Sequence, residues 1–238
     1  MIGLISAFII AMALSVMCTP LLIRFLVLHQ YGQFIRQDGP TQHLTKRGTP
    51  TMGGLVIILA TVIAWLIGSL VAGAGPSWSG LLLVFLFVGL GVIGLLDDGI
   101  KIMRQRSLGL HPSGKIIGQV AVASLFALGT LIMPNEFGEY AGTLEISFAR
   151  PTALTLGFAG LGVGVVLYLI WTNLIVTAWS NATNLTDGLD GLAAGVSIFV
   201  FGAYTFITYF QRIQACTQLG ANQSNCYSTR DPLDLAIF

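Results

Sequence analysis

Apolar residues fall along this chain in six long blocks, at about Ile2–Val27, Gly53–Val71, Gly80–Leu96, Ile116–Met133, Ala153–Ala178 and Leu192–Tyr209, with short polar segments between them. A helix needs about 20 apolar residues to cross the hydrocarbon core of a bilayer, and each block meets or approaches that length. The pattern predicts an all-α polytopic membrane protein with six transmembrane helices. Residues 1–238 read as a single integral-membrane domain, and Leu233–Phe238 reads as the start of a seventh span. The first block has no basic residue ahead of it, and its first cation, Arg24, stands at its far end, so it reads as a retained span and not a cleaved signal.

Composition supports this class and narrows the partners. Hydrophobic residues make up 55% of the chain and charged residues 9%, a balance that excludes an ordinary soluble domain. A net charge of +1 without a Lys/Arg-rich run gives no basis for nucleic-acid binding. The bilayer is therefore the first partner. Of the 11 cations, eight (Arg24, Arg36, Lys46, Arg47, Lys101, Arg104, Arg106 and Lys115) lie in or beside alternate loops, and three (Arg150, Arg212 and Arg230) lie in the others. The positive-inside rule makes the richer side cytoplasmic and puts the N-terminus outside. Loops Gln30–Met52, Asp97–Gly114 and Ser180–Gly191 then face the cytoplasm.

On the outer side, Thr143–Phe148 alternates with strand period, and a short outer β-hairpin or an extended linker fits it equally well. Gly157, Gly160, Gly162 and Gly164 fall in one apolar block and are expected to let helices approach closely. Cys216 and Cys226 share an outer loop, where a disulfide and two free thiols are both open, while Cys18 is expected to be buried in the first span.

Three polar clusters sit at the cytoplasmic ends of these blocks. In Gly94–Lys101, Asp97 and Asp98 stand one helical turn before Lys101, so the three can face one cavity. Two carboxylates about 4 Å apart repel by roughly 4 kcal/mol at an effective dielectric near 20, which a cation, a metal or protonation must relieve. An interfacial helix cap with an ordinary ion pair is the plainer reading. In Asn181–Gly191, Asn184, Asp187 and Asp190 recur at helical spacing, but Gly188 and Gly191 predict a broken helix, with amide and carboxylate groups on a loop at a helix mouth. Such groups suit hydrogen bonds to a polar ring and a ribose, or support for a cation; the plainer reading is a hydrophilic turn. The third cluster, Gly39–Gly54, combines Lys46 and Arg47 with Thr49, Thr51 and glycines just before a span, which are phosphate-binding groups near a helix start.

Four ordered motifs carry a resemblance to a known family: Lys46-Arg-Gly-Thr-Pro-Thr-Met-Gly-Gly54, Leu95-Leu-Asp-Asp-Gly-Ile-Lys101, Gly109-Leu-His-Pro-Ser-Gly-Lys-Ile-Ile-Gly-Gln119 and Asn181-Ala-Thr-Asn-Leu-Thr-Asp-Gly-Leu-Asp-Gly191. The chain resembles, over essentially its whole length, the bacterial phospho-N-acetylmuramoyl-pentapeptide transferases, the MraY family, within the polyprenyl-phosphate N-acetylhexosamine-1-phosphate transferase superfamily. The resemblance implies transfer of phospho-MurNAc-pentapeptide from UDP-MurNAc-pentapeptide to undecaprenyl phosphate, giving lipid I and UMP with Mg²⁺. It implies a place in peptidoglycan biosynthesis at the bacterial inner membrane, with the site on the cytoplasmic face and a homodimer among the expected assemblies.

Carried over by position, Asp97 resembles the carboxylate that takes a proton from the lipid phosphate, with Asp98 beside it and Lys101 steering phosphate charge. Lys46 and Thr51 match substrate-contacting positions, and Asn184, Asp187, Gly188, Leu189 and Asp190 match the nucleoside pocket. No residue is assigned as a metal ligand. Direct attack by the lipid phosphate and a two-step route through an aspartyl intermediate both remain open. The family pattern continues beyond Phe238 through further spans, a third site aspartate and a His-rich loop, so the chain is expected to be an N-terminal portion; His43 and His111 are not assigned to that loop's role. The alternatives are a UDP-GlcNAc:polyprenyl-phosphate transferase and a catalytically inactive membrane scaffold.

Overall fold

The computed structural model describes residues 1–29, 31–32, 50–73, 75–105, 108–135, 138, 140–147, 151–188, 191–215 and 230–238, without the side chains of residues 151 and 153. Among the described residues, six helices are long and apolar enough to cross a membrane: α1 (Ile2–Leu28), α2 (Gly54–Val71), α3 (Trp78–Met103), α4 (Pro112–Ile132), α5 (Leu161–Thr186) and α6 (Leu192–Ile213). A six-residue helix, α7 (Pro232–Ile237), stands where the sequence expects a seventh span to begin. The protein is a multi-pass membrane protein. Large apolar side chains such as Phe8, Phe199 and Phe201 are exposed along the helices, as a lipid-facing surface requires.

Small residues set the closest helix pair. A Cβ on Gly3 would lie 2.7 Å from the backbone oxygen of Gly68 and from the Ala72 methyl, and one on Gly68 would lie 2.7 Å from the Ala7 methyl. These positions let α1 and α2 touch backbone to backbone, the close approach that dispersion and packing require inside lipid. Ala7, Trp65 and Ile237 form the buried cluster there, so α7 seats its end against α1 and α2.

Polar pairs hold α4 to α5. Thr130 and Tyr168 share a hydroxyl–hydroxyl hydrogen bond at 2.9 Å, and Asn173 donates to Ser124 at 3.0 Å. Gln119 donates to Ser180 at 3.0 Å and accepts from Asn181 at 3.0 Å. Inside a bilayer each such bond contributes on the order of 1 kcal/mol and fixes the register between helices.

Strand β1 (Glu145–Ser147) pairs antiparallel with β2 (Pro151–Thr155), which gives the hairpin between the fourth and fifth spans. A 3-10 turn at Leu156–Ala159 follows, and Gly160, at φ 101°, turns the chain into α5.

Several boundaries differ from the sequence expectation. The fifth span starts at Leu161 and not at Ala153, because Thr152 and Thr155 favour strand and Gly160 takes a positive φ that favours glycine. Gly157 and Gly160 therefore precede the span, and Gly164 packs against Leu144 and Gly157 instead of another spanning helix. The same helix runs on to Thr186, so Asn181 and Asn184 are helical and the connection is shorter than Ser180–Gly191. The backbone ladder carries the extension, the Asp187 N–H still reaching the Thr183 carbonyl at 3.1 Å, and the Asn181 and Thr186 side chains donate back to the Thr177 and Ala182 carbonyls at 2.8 and 2.9 Å. Cys18 is half-buried and not buried. Lys46, Leu189, Asp190, Cys216 and Cys226 lie outside the described residues.

Candidate active site

The described parts of the four sequence motifs lie toward one end of the bundle, where hydrogen bonds join the second motif to the third and the third to the fourth. Helix α3 continues past its apolar block to Met103, because Leu95–Met103 contains no proline and only one glycine, Gly99, which a helix interior tolerates. Asp97, Asp98 and Lys101 are therefore all helical, and helical spacing puts the ammonium between the carboxylates: Lys101 Nζ lies 2.6 Å from Asp97 Oδ2 and 2.9 Å from Asp98 Oδ1. Asp97 is the more enclosed of the pair, its side chain 18% exposed against 31% for Asp98.

The second oxygen of Asp97 is held by the third motif. Leu110 donates its backbone N–H to Asp97 Oδ1 at 2.8 Å. Asp97 thus has both oxygens occupied, whereas Asp98 Oδ2 has no hydrogen-bond partner among the described residues. The first motif abuts the same turn. Met52 adopts φ 68°, uncommon for a residue with a side chain, just before α2 begins, and a Cβ on Gly99 would lie 3.8 Å from Met52 Cε. Beside it, Thr51 Oγ1 is buried without a hydrogen-bond partner among the described residues. Gly32 and Pro50 form a bridge that brings the end of α1 to the start of α2 on this side.

The fourth motif is tied to the third by Asn181 and Gln119. Past that bond, Asn184 and Asp187 are exposed at the end of α5, Asp187 caps its C-terminus, and Gly191 takes φ 79° to begin α6. Asn184, Asp187 and Gly188 thus share an end of the bundle with the Asp97–Lys101 cluster, although among the described residues no hydrogen bond or ion pair joins the two groups. Gln119, Asn181, Gly109 and Leu110 were quoted in motifs but given no role from sequence. Their signal was the Gly-x-His-Pro turn and a glutamine inside an apolar block.

Comparison with known proteins decides the family. The profile of glycosyl transferase family 4 matches residues 80–222, which takes in the carboxylate pair, the Leu110 loop and the end of α5. The chain belongs to glycosyl transferase family 4. Signature 1 of the phospho-N-acetylmuramoyl-pentapeptide transferases matches residues 46–58, around Thr51 and Met52. A phospho-N-acetylmuramoyl-pentapeptide transferase of Beutenbergia cavernae is 56% identical over 237 residues, covering 100% of this chain and 66% of the relative. The enzyme of that name from Paenarthrobacter aurescens is 51% identical, covering 100% of this chain and 66% of the relative. A third, from Micrococcus luteus, is 52% identical and covers 100% and 64%. This family 4 chain therefore spans slightly less than two thirds of the length of these relatives.

Proposed function

We propose that the protein transfers phospho-MurNAc-pentapeptide from UDP-MurNAc-pentapeptide to undecaprenyl phosphate, releasing UMP and forming lipid I for peptidoglycan synthesis at the inner membrane. The observation that carries this reading is the Asp97–Lys101–Asp98 cluster, gripped by the Leu110 amide at one helix end, in a chain whose residues 46–58 match the transferase signature. A lipid phosphate lies at headgroup depth and a nucleotide sugar arrives from water, so the two substrates meet at a span end. The cation balance of the loops makes that end cytoplasmic.

In the direct route, an oxygen of the lipid phosphate bonds to the sugar-bearing phosphorus while the bond from that phosphorus to the UMP oxygen breaks. Little covalent work falls to the protein, and positioning with charge neutralisation supplies most of the rate. Lys101 offers its ammonium to the incoming phosphate. As it turns, Asp97 Oδ2 is released to take the lipid-phosphate proton, with Oδ1 still held by Leu110. Thr51, whose buried hydroxyl lacks a described partner, and Lys46 contact the substrate. Asn184, Asp187, Gly188, Leu189 and Asp190 form the uridine side of the pocket.

Mg²⁺ fits the donor set in a limited way. It takes oxygen ligands, commonly one or two carboxylates with phosphates and water. Asp98, with Oδ2 unengaged among the described residues, would hold it. The ion would neutralise pyrophosphate charge.

The test is UMP release by the full-length protein, purified and given undecaprenyl phosphate with UDP-MurNAc-pentapeptide or with UDP-GlcNAc. Release with the first alone supports the reading. Release with UDP-GlcNAc alone, or none with either, contradicts it.

A further inference from the structure

The motif Gly109-Leu-His-Pro-Ser-Gly-Lys115 is one of the four that carry the resemblance, yet among the described residues none of its side chains bonds to the carboxylate cluster, and Lys115 acts on Asp97 only through its charge. Its backbone does. Pro112 occupies the first turn of α4, where its missing N–H costs nothing. A residue before proline is driven out of the helical region, and His111 takes φ −60°, ψ 140°. The His111 ring and Ser113 Oγ share a 2.7 Å hydrogen bond, and Lys115 N–H reaches the His111 carbonyl at 3.1 Å. This fixed turn aims the Leu110 N–H back at α3, where it meets Asp97 Oδ1 at 2.8 Å.

The approach is possible only without a side chain at the preceding position. A Cβ on Gly109 would fall 2.6 Å from the Asp97 backbone oxygen and closer still to Oδ1. A backbone oxygen cannot swing aside as the end of a flexible side chain can. With Lys101 on Oδ2 alone, the Asp97 carboxylate could rotate about its own bond; with Leu110 on Oδ1 it has one orientation. We propose that Gly109 and Leu110 are positioning residues that hold the Asp97 carboxylate in its working orientation through the Leu110 amide.

This inference rests on the proposed transferase reading, and two measurements separate them. The first needs no activity: deuterium exchange of the full-length protein, read at the Leu110 amide, in the parent and in Asp97→Ala. The expected result is at least tenfold slower exchange in the parent, and equal rates would overturn the contact. The second is steady-state UMP release by Leu110→Pro, which removes the N–H, and by Gly109→Ala, which crowds Asp97. For variants that elute as folded protein, a loss of a hydrogen bond to a charged group should lower kcat by about 10- to 100-fold, with KM for UDP-MurNAc-pentapeptide within about threefold, since the nucleotide pocket is built from other residues. Parent-like kcat in either folded variant, or a loss confined to KM, would overturn the positioning role. If the parent slows Leu110 exchange but releases no UMP, the transferase reading fails and the backbone grip on Asp97 stands.

Discussion

Asn181 donates its side-chain amide to Gln119 Oε1 at 3.0 Å, and this bond carries the end of α5 onto the buried face of α4. Gln119 is 1% exposed, and its own amide donates to Ser180, so both of its polar atoms are engaged in clamping the turn before Asn184 and Asp187. Replacing Gln119 with Leu keeps the volume and removes both bonds. The expected loss is about 1–2 kcal/mol of stability, read as a lower Tm in detergent, and an unchanged Tm would show that the clamp is idle.

At the far end of the bundle, Asp234 is 4% exposed and accepts four hydrogen bonds: from the Trp65 indole at 2.7 Å, Ser69 Oγ at 2.8 Å, Ser77 N–H at 2.8 Å and Ser77 Oγ at 2.6 Å. The indole and the backbone amide can only donate. Asp234→Ala strands both and should cost about 3 kcal/mol or more, while Asp234→Asn keeps one acceptor oxygen and should cost less. Chemical unfolding followed by tryptophan emission checks the order of the three proteins.

The same receptacle explains one glycine among many. A Cβ on Gly80 would meet Trp65 Cζ2 at 2.7 Å and the Asp234 carboxylate, whereas nothing lies within 4 Å of one on Gly202 in α6. Gly80→Ala should therefore destabilise by about 1–3 kcal/mol, and Gly202→Ala should be neutral or stabilise by up to about 1 kcal/mol through helix propensity. Thermal melts of the two variants, side by side, are the check.

These contacts also show what the sequence could and could not reveal. The six spans were legible because lipid imposes a length and an apolar composition on every crossing helix, and the Lys101 ion pairs because three- and four-residue spacings on a helix are local geometry. Trp65 and Asp234 stand 169 positions apart, and no local pattern pairs a buried indole with one aspartate. The amide of Leu110 carries no residue identity at all, so its bond to Asp97 could be found only in three dimensions. Gly188 and Gly191 predict a break earlier than the structure has it; Asn181 to Thr186 contain no glycine or proline, and the backbone ladder continues until the Asp187 N–H reaches the Thr183 carbonyl at 3.1 Å.

For the nucleotide side of the site, Asn184 and Asp187 stand exposed at the end of α5 with no partner to lose among the described residues. Alanine at either position should leave stability within about 0.5 kcal/mol and weaken UDP-MurNAc-pentapeptide binding by about 1–3 kcal/mol. Calorimetric titration of the full-length protein separates the two effects; unchanged affinity in both variants would place the uridine elsewhere.

The most direct measurement is UMP release from UDP-MurNAc-pentapeptide by full-length protein carrying Asp97→Asn or Asp98→Asn, each nearly isosteric with the parent. Asp97→Asn keeps an oxygen for the Leu110 amide and loses the charge that Lys101 balances. If this helix end performs the transfer, both variants fold as the parent does and each releases UMP at least about 100-fold more slowly, a loss of about 2.7 kcal/mol in the transition state. Near-parental UMP release by folded Asp97→Asn and Asp98→Asn would contradict it.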